Sequence, residues 1–168
     1  EHAWLGEQAY RVAEIDPSGR RILIAPTDPG MTRAEEEEIN DHLAVDRNAP
    51  RSGRSVAFLH DFEEAEARAS QEGKRLLIDF ETVWCGPCKI MDEWVWTADA
   101  VVEAAASLVA VKVDGDERLD LKERFGVEGF PTTILLGPGG EELGRESGYV
   151  NVEGMVRFLT ANGDPAES

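Results

Sequence analysis

Residues 75–89 read Arg75-Leu76-Leu77-Ile78-Asp79-Phe80-Glu81-Thr82-Val83-Trp84-Cys85-Gly86-Pro87-Cys88-Lys89. The first half is an apolar run of strand length, with the Leu and Ile content of a strand buried on both faces. The second half sets Cys-Gly-Pro-Cys at the start of a helix expected over 86 to about 96. Pro87 suits the first helical turn, where a missing N–H costs little. At a helix N-terminus the free N–H groups and the macrodipole favour a thiolate, so Cys85 reads as a nucleophile. Cys88, one turn further in and expected to be more deeply buried, reads as the thiol that resolves a mixed disulfide.

These are the only two cysteines in 168 residues. A disulfide-stapled scaffold needs more of them at wider spacing. A structural zinc site needs four ligands, and His2, His42 and His60 fall at no ligand spacing from the pair. Lys89 stands where a c-type haem site needs His. The spacing points to a redox couple; a metal half-site and a purely structural pair are the competing readings.

Three features flank the pair. Asp79 interrupts the apolar strand, so burial should raise its pKa, and it precedes Cys85 by six residues, within reach of the CxxC. A raised pKa suits proton exchange with Cys88; the plainer reading is a strand-end carboxylate in water. Asp92 lies four residues after Cys88 and seven after Cys85, on one helical face with the sulfurs. It is a candidate second acid or a solvated carboxylate. Phe130-Pro131-Thr132 leads a strand, where a cis bond at Pro131 would offer backbone groups to an extended substrate segment.

Outward from this core, 56–162 alternate strand and helix. Strands are expected over 56–59, 75–81, 108–113, 132–136 and 142–149. Helices are expected over 62–72 (capped by Asp61, ended by Gly73), from Asp99 as cap through 106, over 117–125, and from Asn151 as cap through 159. Apolar strands joined by helices imply a right-handed parallel crossover, and Gly137-Pro138-Gly139-Gly140 implies an added hairpin. The expected fold is α/β, a mixed central sheet flanked by helices. Residues 1–55 read as a separate extension: a hairpin of 9–15 with 21–25 across Asp16-Pro17-Ser18-Gly19, a short helix over 33–45 capped by Thr32, and a linker over 48–55. Residues 163–168 read as a tail. Glu35 to Glu38 read as a solvated helix start, and Trp94 and Trp96 as core.

The charge narrows the partners. The chain carries 34 acidic and 17 basic residues, net −17, so a nucleic-acid or anionic-membrane surface is a poor partner. With 4 Lys against 13 Arg, the acidity reads either as adaptation to high salt or simply as an acidic surface. No apolar run is long enough to span a bilayer, and no charged stretch followed by an apolar run, as in a signal peptide, is visible from Glu1 onward.

Leu77-Ile78-Asp79-Phe80, Trp84-Cys85-Gly86-Pro87-Cys88-Lys89, Val113-Asp114, Gly126-Val127 and Gly129-Phe130-Pro131-Thr132 resemble, in order and spacing, the thioredoxin superfamily. The resemblance covers about 56–160. It implies the fold, Cys85 as nucleophile, Cys88 as resolving thiol, Asp79 as buried acid and Pro131 as cis-proline, with Trp84, Gly86, Pro87 and Phe130 around the substrate. The 65–74 stretch and Trp94-Val95-Trp96-Thr97 look closer to exported thioredoxin-like proteins, among them the carboxy-terminal domain of the transmembrane disulfide reductase DsbD, where Asp92 matches a second acid. Such proteins pass electrons to other thiol proteins outside the cytoplasm.

Two departures stand out. Glu81 replaces the Trp of ordinary thioredoxins, and a carboxylate there would raise the Cys85 pKa or steer partner choice. The lysine that pairs with the buried acid falls on Ala110 here, with Lys112 two residues on. The expectation is therefore a reductase of protein disulfides with no metal or organic cofactor, fed by a thioredoxin-like or membrane donor, exported or, alternatively, cytoplasmic. The competitors are an oxidase or isomerase, and a redox-inactive binding module.

Overall fold

The computed structural model describes residues 45–161 throughout, together with the strand backbones of β1 (His2–Leu5), β2 (Gln8–Ile15) and β3 (Arg21–Ile24). These three form a separate antiparallel sheet in the order β1-β2-β3. The expected hairpin is its β2–β3 half, with Ile15 opposite Arg21; β1 was not anticipated. The turn at 16–19, the helix over 33–45 with Glu35 to Glu38, and the tail lie outside the described residues.

The main body follows as β4 (Phe58–Leu59), α1 (Phe62–Glu72), β5 (Leu76–Glu81), α2 (Gly86–Trp94), α3 (Asp99–Ala104), β6 (Val109–Asp114), α4 (Leu119–Arg124), β7 (Thr132–Leu136), β8 (Glu142–Ser147) and α5 (Val152–Ala161). Its five strands lie in the order β4-β6-β5-β7-β8. β6 runs parallel to both β4 and β5; β7 runs antiparallel to β5 and β8. The caps behave as read for α1, where the Asp61 side chain accepts from Glu64 N–H and Gly73 closes the helix in the left-handed region at φ 63°. Asn151 likewise accepts from Gly154 N–H at 2.9 Å.

Asp99 does not cap. Ala98 holds the N-cap position of α3, and the Asp99 carboxylate turns outward to accept from Ser52 N and Oγ at 3.0 and 2.6 Å. This bond helps explain why 48–55 is no free linker. Arg51 donates to the carbonyls of Asp46, Ala49 and Trp94, and stacks 4.9 Å above the Trp94 ring. Asp99 N–H in turn donates to Pro50 O. Tied to the body through Pro50, Arg51 and Ser52, the segment is a strap along α2 and α3.

Period-two alternation sorts the sheet residues between two cores. Leu76, Ile78 and Phe80 pack with Val109, Val111, Val113 and Ile134 beneath Phe62, Ala65 and Leu121 of α1 and α4. Leu77 and Ala110 pack on the other face with Met91, Val95, Met155 and Leu159 of α2 and α5. Asp79 follows Leu77 by two residues and Lys112 follows Ala110 by two, so both belong to the face that carries α2. Among the described residues Trp96 is the largest fully buried side chain, and burying a side chain of that size contributes roughly 2–3 kcal/mol.

The register also gathers three loops. Phe80 lies beside Val113 in parallel and opposite Thr132 in antiparallel pairing. The carboxyl ends of β5 and β6 and the amino end of β7 therefore share one edge, where α/β sheets place their sites.

Candidate active site

Cys85 is the N-cap of α2, with extended backbone at φ −80° and ψ 109°, and its Sγ accepts from Cys88 N–H at 3.3 Å. Pro87 sits in the first turn, as its missing N–H allows. The two cysteines form a disulfide with their Cα atoms 5.3 Å apart. The expected difference in burial is absent: Cys85 is 1% exposed and Cys88 3%.

Beneath this helix the α2-facing residues of the sheet meet around one cation. Lys112 Nζ lies 3.1 Å from Asp79 Oδ2 and 2.9 Å from Glu81 Oε2, and also pairs with Asp92 Oδ1 descending from α2. The expectation that Asp79 lacks the family lysine is thus corrected. Asp79 and Lys112 are register partners on parallel strands, and Ala110 and Lys112 share a face, so the residue two on from Ala110 points the same way. That rule was available in the sequence, which named Lys112 without assigning it the pairing with Asp79. Glu81, noted as a departure, spends its charge on the same ammonium.

Burial pushes the Asp79 carboxyl up from 3.8 to about 6, with Lys112 opposing and Glu81 and Asp92 adding to the rise. One ammonium divided among three carboxylates does not offset the desolvation of the most buried one. Burial alone would lower Lys112; Asp79, Asp92 and Glu81 outweigh it and hold the ammonium above its ordinary value. The three carboxylates lie close enough to grip a metal ion, with ligand oxygens within 4.8 Å of one another, but Lys112 already supplies the cation. Asp79 Oδ1 is buried and accepts no hydrogen bond among the described residues.

The rim comes from the three gathered loops. Trp84 Nε1 donates to Asp116 Oδ2 at 2.6 Å, and its ring meets Phe130 edge-on, centroids 5.9 Å apart. The Phe130–Pro131 peptide bond is cis. Pro131 O accepts from Gly148 N–H at 2.7 Å, and Thr132 Oγ1 donates to Gly129 O at 2.7 Å, which fixes that loop. Val83, beside Trp84, is 75% exposed. The residues read from sequence thus fall into two groups: Cys85, Gly86, Pro87 and Cys88 at the helix start with Trp84, Phe130 and Pro131 on the rim, and Asp79 with Asp92 on the Lys112 ammonium. Asp116 and Gly115, the loop partners of Trp84 and Phe130, were missed because neither carries a motif of its own.

A bonded cysteine pair at a helix N-terminus, beside a cis-proline loop, defines a dithiol–disulfide class of α/β proteins. The family described as thioredoxin-like matches residues 57–138. A thioredoxin H-type of Fagopyrum esculentum is 30% identical over 83 residues, covering 49% of this chain and 69% of that protein. The thiol:disulfide interchange protein DsbD of Campylobacter jejuni is 23% identical over 116 residues, 67% of this chain and 20% of DsbD. Among solved structures, a putative disulphide-isomerase from Bacteroides thetaiotaomicron aligns with TM-score 0.58 and 29% identity, covering 66% of this chain and 95% of that one. The chain belongs to the thioredoxin superfamily. Against its disulfide-isomerase and DsbD relatives it spans only 15% to 29% of their length.

Proposed function

We propose that this protein is a thiol:disulfide oxidoreductase that reduces protein disulfides through Cys85 and Cys88. The observation that carries the reading is the Cys85–Cys88 pair set at a helix N-terminus over the Asp79–Lys112 pair. Names of relatives such as DsbD and protein disulfide-isomerase support the chemistry, and the Gly86-Pro87 dipeptide, which resembles that of reducing thioredoxins, supports the direction.

The cycle starts with both thiols reduced. The Cys85 thiolate, stabilised by the helix N-terminus, attacks one sulfur of a substrate disulfide held along Trp84, Gly86, Pro87, Phe130 and Pro131. That S–S bond breaks, a mixed disulfide forms, and the leaving substrate sulfur takes up a proton. Cys88 then gives its proton to the Asp79 carboxylate, whose Oδ1 remains free, and attacks Cys85. The second substrate sulfur leaves as a thiolate and takes up the proton that Asp79 releases, so the carboxylate is restored and the chain ends in the disulfide form. Two electrons have passed, carried by the sulfur pair itself, and a donor dithiol of a thioredoxin-like or membrane protein restores the start.

The test is the equilibrium potential of the Cys85–Cys88 couple in a thiol redox buffer, followed by Trp fluorescence. A value near that of thioredoxin, about −270 mV, supports the reductase; a value toward about −120 mV makes the protein an oxidase or isomerase instead. A pair that does not titrate removes the redox reading and leaves a binding module. A site of action outside the cytoplasm belongs to the same proposal, supported by the likeness to DsbD. Cell fractionation tests it: the protein recovered with cytoplasmic markers would overturn it.

A further inference from the structure

Gly115 follows the last residue of β6, and nothing in its backbone requires glycine, since its φ lies outside the left-handed range. What requires glycine is space. A Cβ at this position would overlap Cε1 and Cζ of the Phe130 ring. The loop cannot retreat, because Gly115 N–H donates to Glu81 O at 2.8 Å and Asp116 N–H donates to Asp114 Oδ1 at 2.8 Å. The backbone beyond Phe130 is held as well, by the Thr132 and Gly148 hydrogen bonds. Only the ring itself is free to move.

That ring stands where movement matters. It meets Trp84 edge-on, at an interplanar angle of 86°, and Trp84 is tied by its indole N–H to Asp116, the neighbour of Gly115. Lys122 Nζ sits 5.7 Å from the ring centroid. The ring also walls a cavity shared with Gly129, Thr132, Arg145 and Gly148. Displacing it alters the Trp84 contact, the cavity and the approach to Pro131 together, while the dithiol and the Lys112 cluster stay untouched.

We propose that Gly115 is a positioning residue for substrate: its missing side chain seats the Phe130 ring against Trp84 and so sets the surface on which a protein segment docks beside Cys85. This rests on the oxidoreductase reading and deepens it. Gly115 touches neither sulfur, and it acts through Phe130.

The experiment uses the full chain with Gly115→Ala, Phe130→Ala and the double variant, each checked by thermal unfolding. Insulin serves as the protein disulfide and dithiodipyridine as a small disulfide that needs no docking. Gly115→Ala should raise KM for insulin so that kcat/KM falls roughly tenfold, in the range that misplaced positioning groups cost. The potential of the couple and the rate with dithiodipyridine should not change. In the Phe130→Ala background the same substitution should have no further effect on insulin, because the ring it displaces is gone. Gly115→Ser, of similar bulk, should repeat the result. An unchanged KM, a penalty that persists without Phe130, or equal losses on both substrates would each overturn the inference. Wild-type protein that reduces neither substrate sinks the oxidoreductase reading, and this inference with it.

Discussion

Lys112 and Arg118 each hold more than one carboxylate, and of these two clusters only that of Lys112 changes a proton equilibrium within the physiological range. Arg118 reaches Glu63 at 2.6 and 3.1 Å and Asp120 at 2.9 and 3.0 Å. Lys112 makes three such contacts where Arg118 makes four. The difference is solvent. Glu63 and Asp120 side chains are 64% and 65% exposed, whereas Lys112 is 14% and Asp79 3% exposed. Hydrogen bonds from Arg118 hold Glu63 and Asp120 below the usual carboxylate range, so they stay ionised where they would be ionised anyway. Burial moves Asp79 the other way, to about 6, where it can give and take a proton near neutrality. Contact geometry makes an ion pair, and desolvation turns one into a proton site.

The sharpest way to break this contrast is to remove each cation. Lys112→Met leaves three carboxylates, one of them buried, with no counter-charge. Breaking a buried pair from one side costs about 3 kcal/mol, so urea unfolding at neutral pH should show a loss near that size. Asp79 should also hold its proton to higher pH than in the parent. A loss no larger than that of an exposed ion pair would erase the distinction.

The next effect is on pH dependence. Folded Asp79 holds its proton up to about pH 6, whereas the unfolded residue releases it near 3.8. Its contribution to stability is therefore greatest below pH 3.8, shrinks as pH rises between the two values, and is gone above about 6. The shift corresponds to roughly 3 kcal/mol at most. Asp79→Asn should gain that much on the parent between pH 4 and 7 in unfolding titrations, and parallel curves would contradict the assignment. The same variant should lose the acid limb of the activity profile. In the parent, insulin reduction should slow as pH falls through about 6 and the carboxylate that takes the Cys88 proton fills; in Asp79→Asn the rate should be low and flat there.

The sequence carried the main body of the fold through short-range rules. Asp61, Gly73 and Asn151 cap as their chemistry demands, and the apolar runs are the central strands. The site divides differently. Cys85, Cys88 and Pro131 were readable because each sits in a local motif. Lys112 was named but not paired with Asp79, because that pairing depends on which strand lies beside β5, a long-range fact; with that register granted, period two would have assigned it. The strap over 46–55 misled for a related reason. Pro50, Gly53 and two serines look like a linker, yet Arg51 and Ser52 find partners more than forty residues away, and composition does not record partners.

The smallest effect is the most discriminating for solvent. Arg118→Met removes the exposed cluster, and its penalty should be slight at low salt. Raising ionic strength from about 0.1 M to about 1 M shortens the Debye length from about 10 Å to about 3 Å. At the higher salt the Arg118→Met midpoint should merge with that of the parent, because water and ions already screen those charges. The Lys112→Met penalty should persist, since Asp79, its buried partner, is reached poorly by either. Both curves should rise together, because a chain of net −17 relieves self-repulsion as salt increases. The informative quantity is therefore the gap between each variant and the parent at each salt, read from thermal midpoints. An Arg118→Met gap that stays open in concentrated salt would mean that the exposed cluster is sheltered from solvent, and burial would no longer separate the two sites.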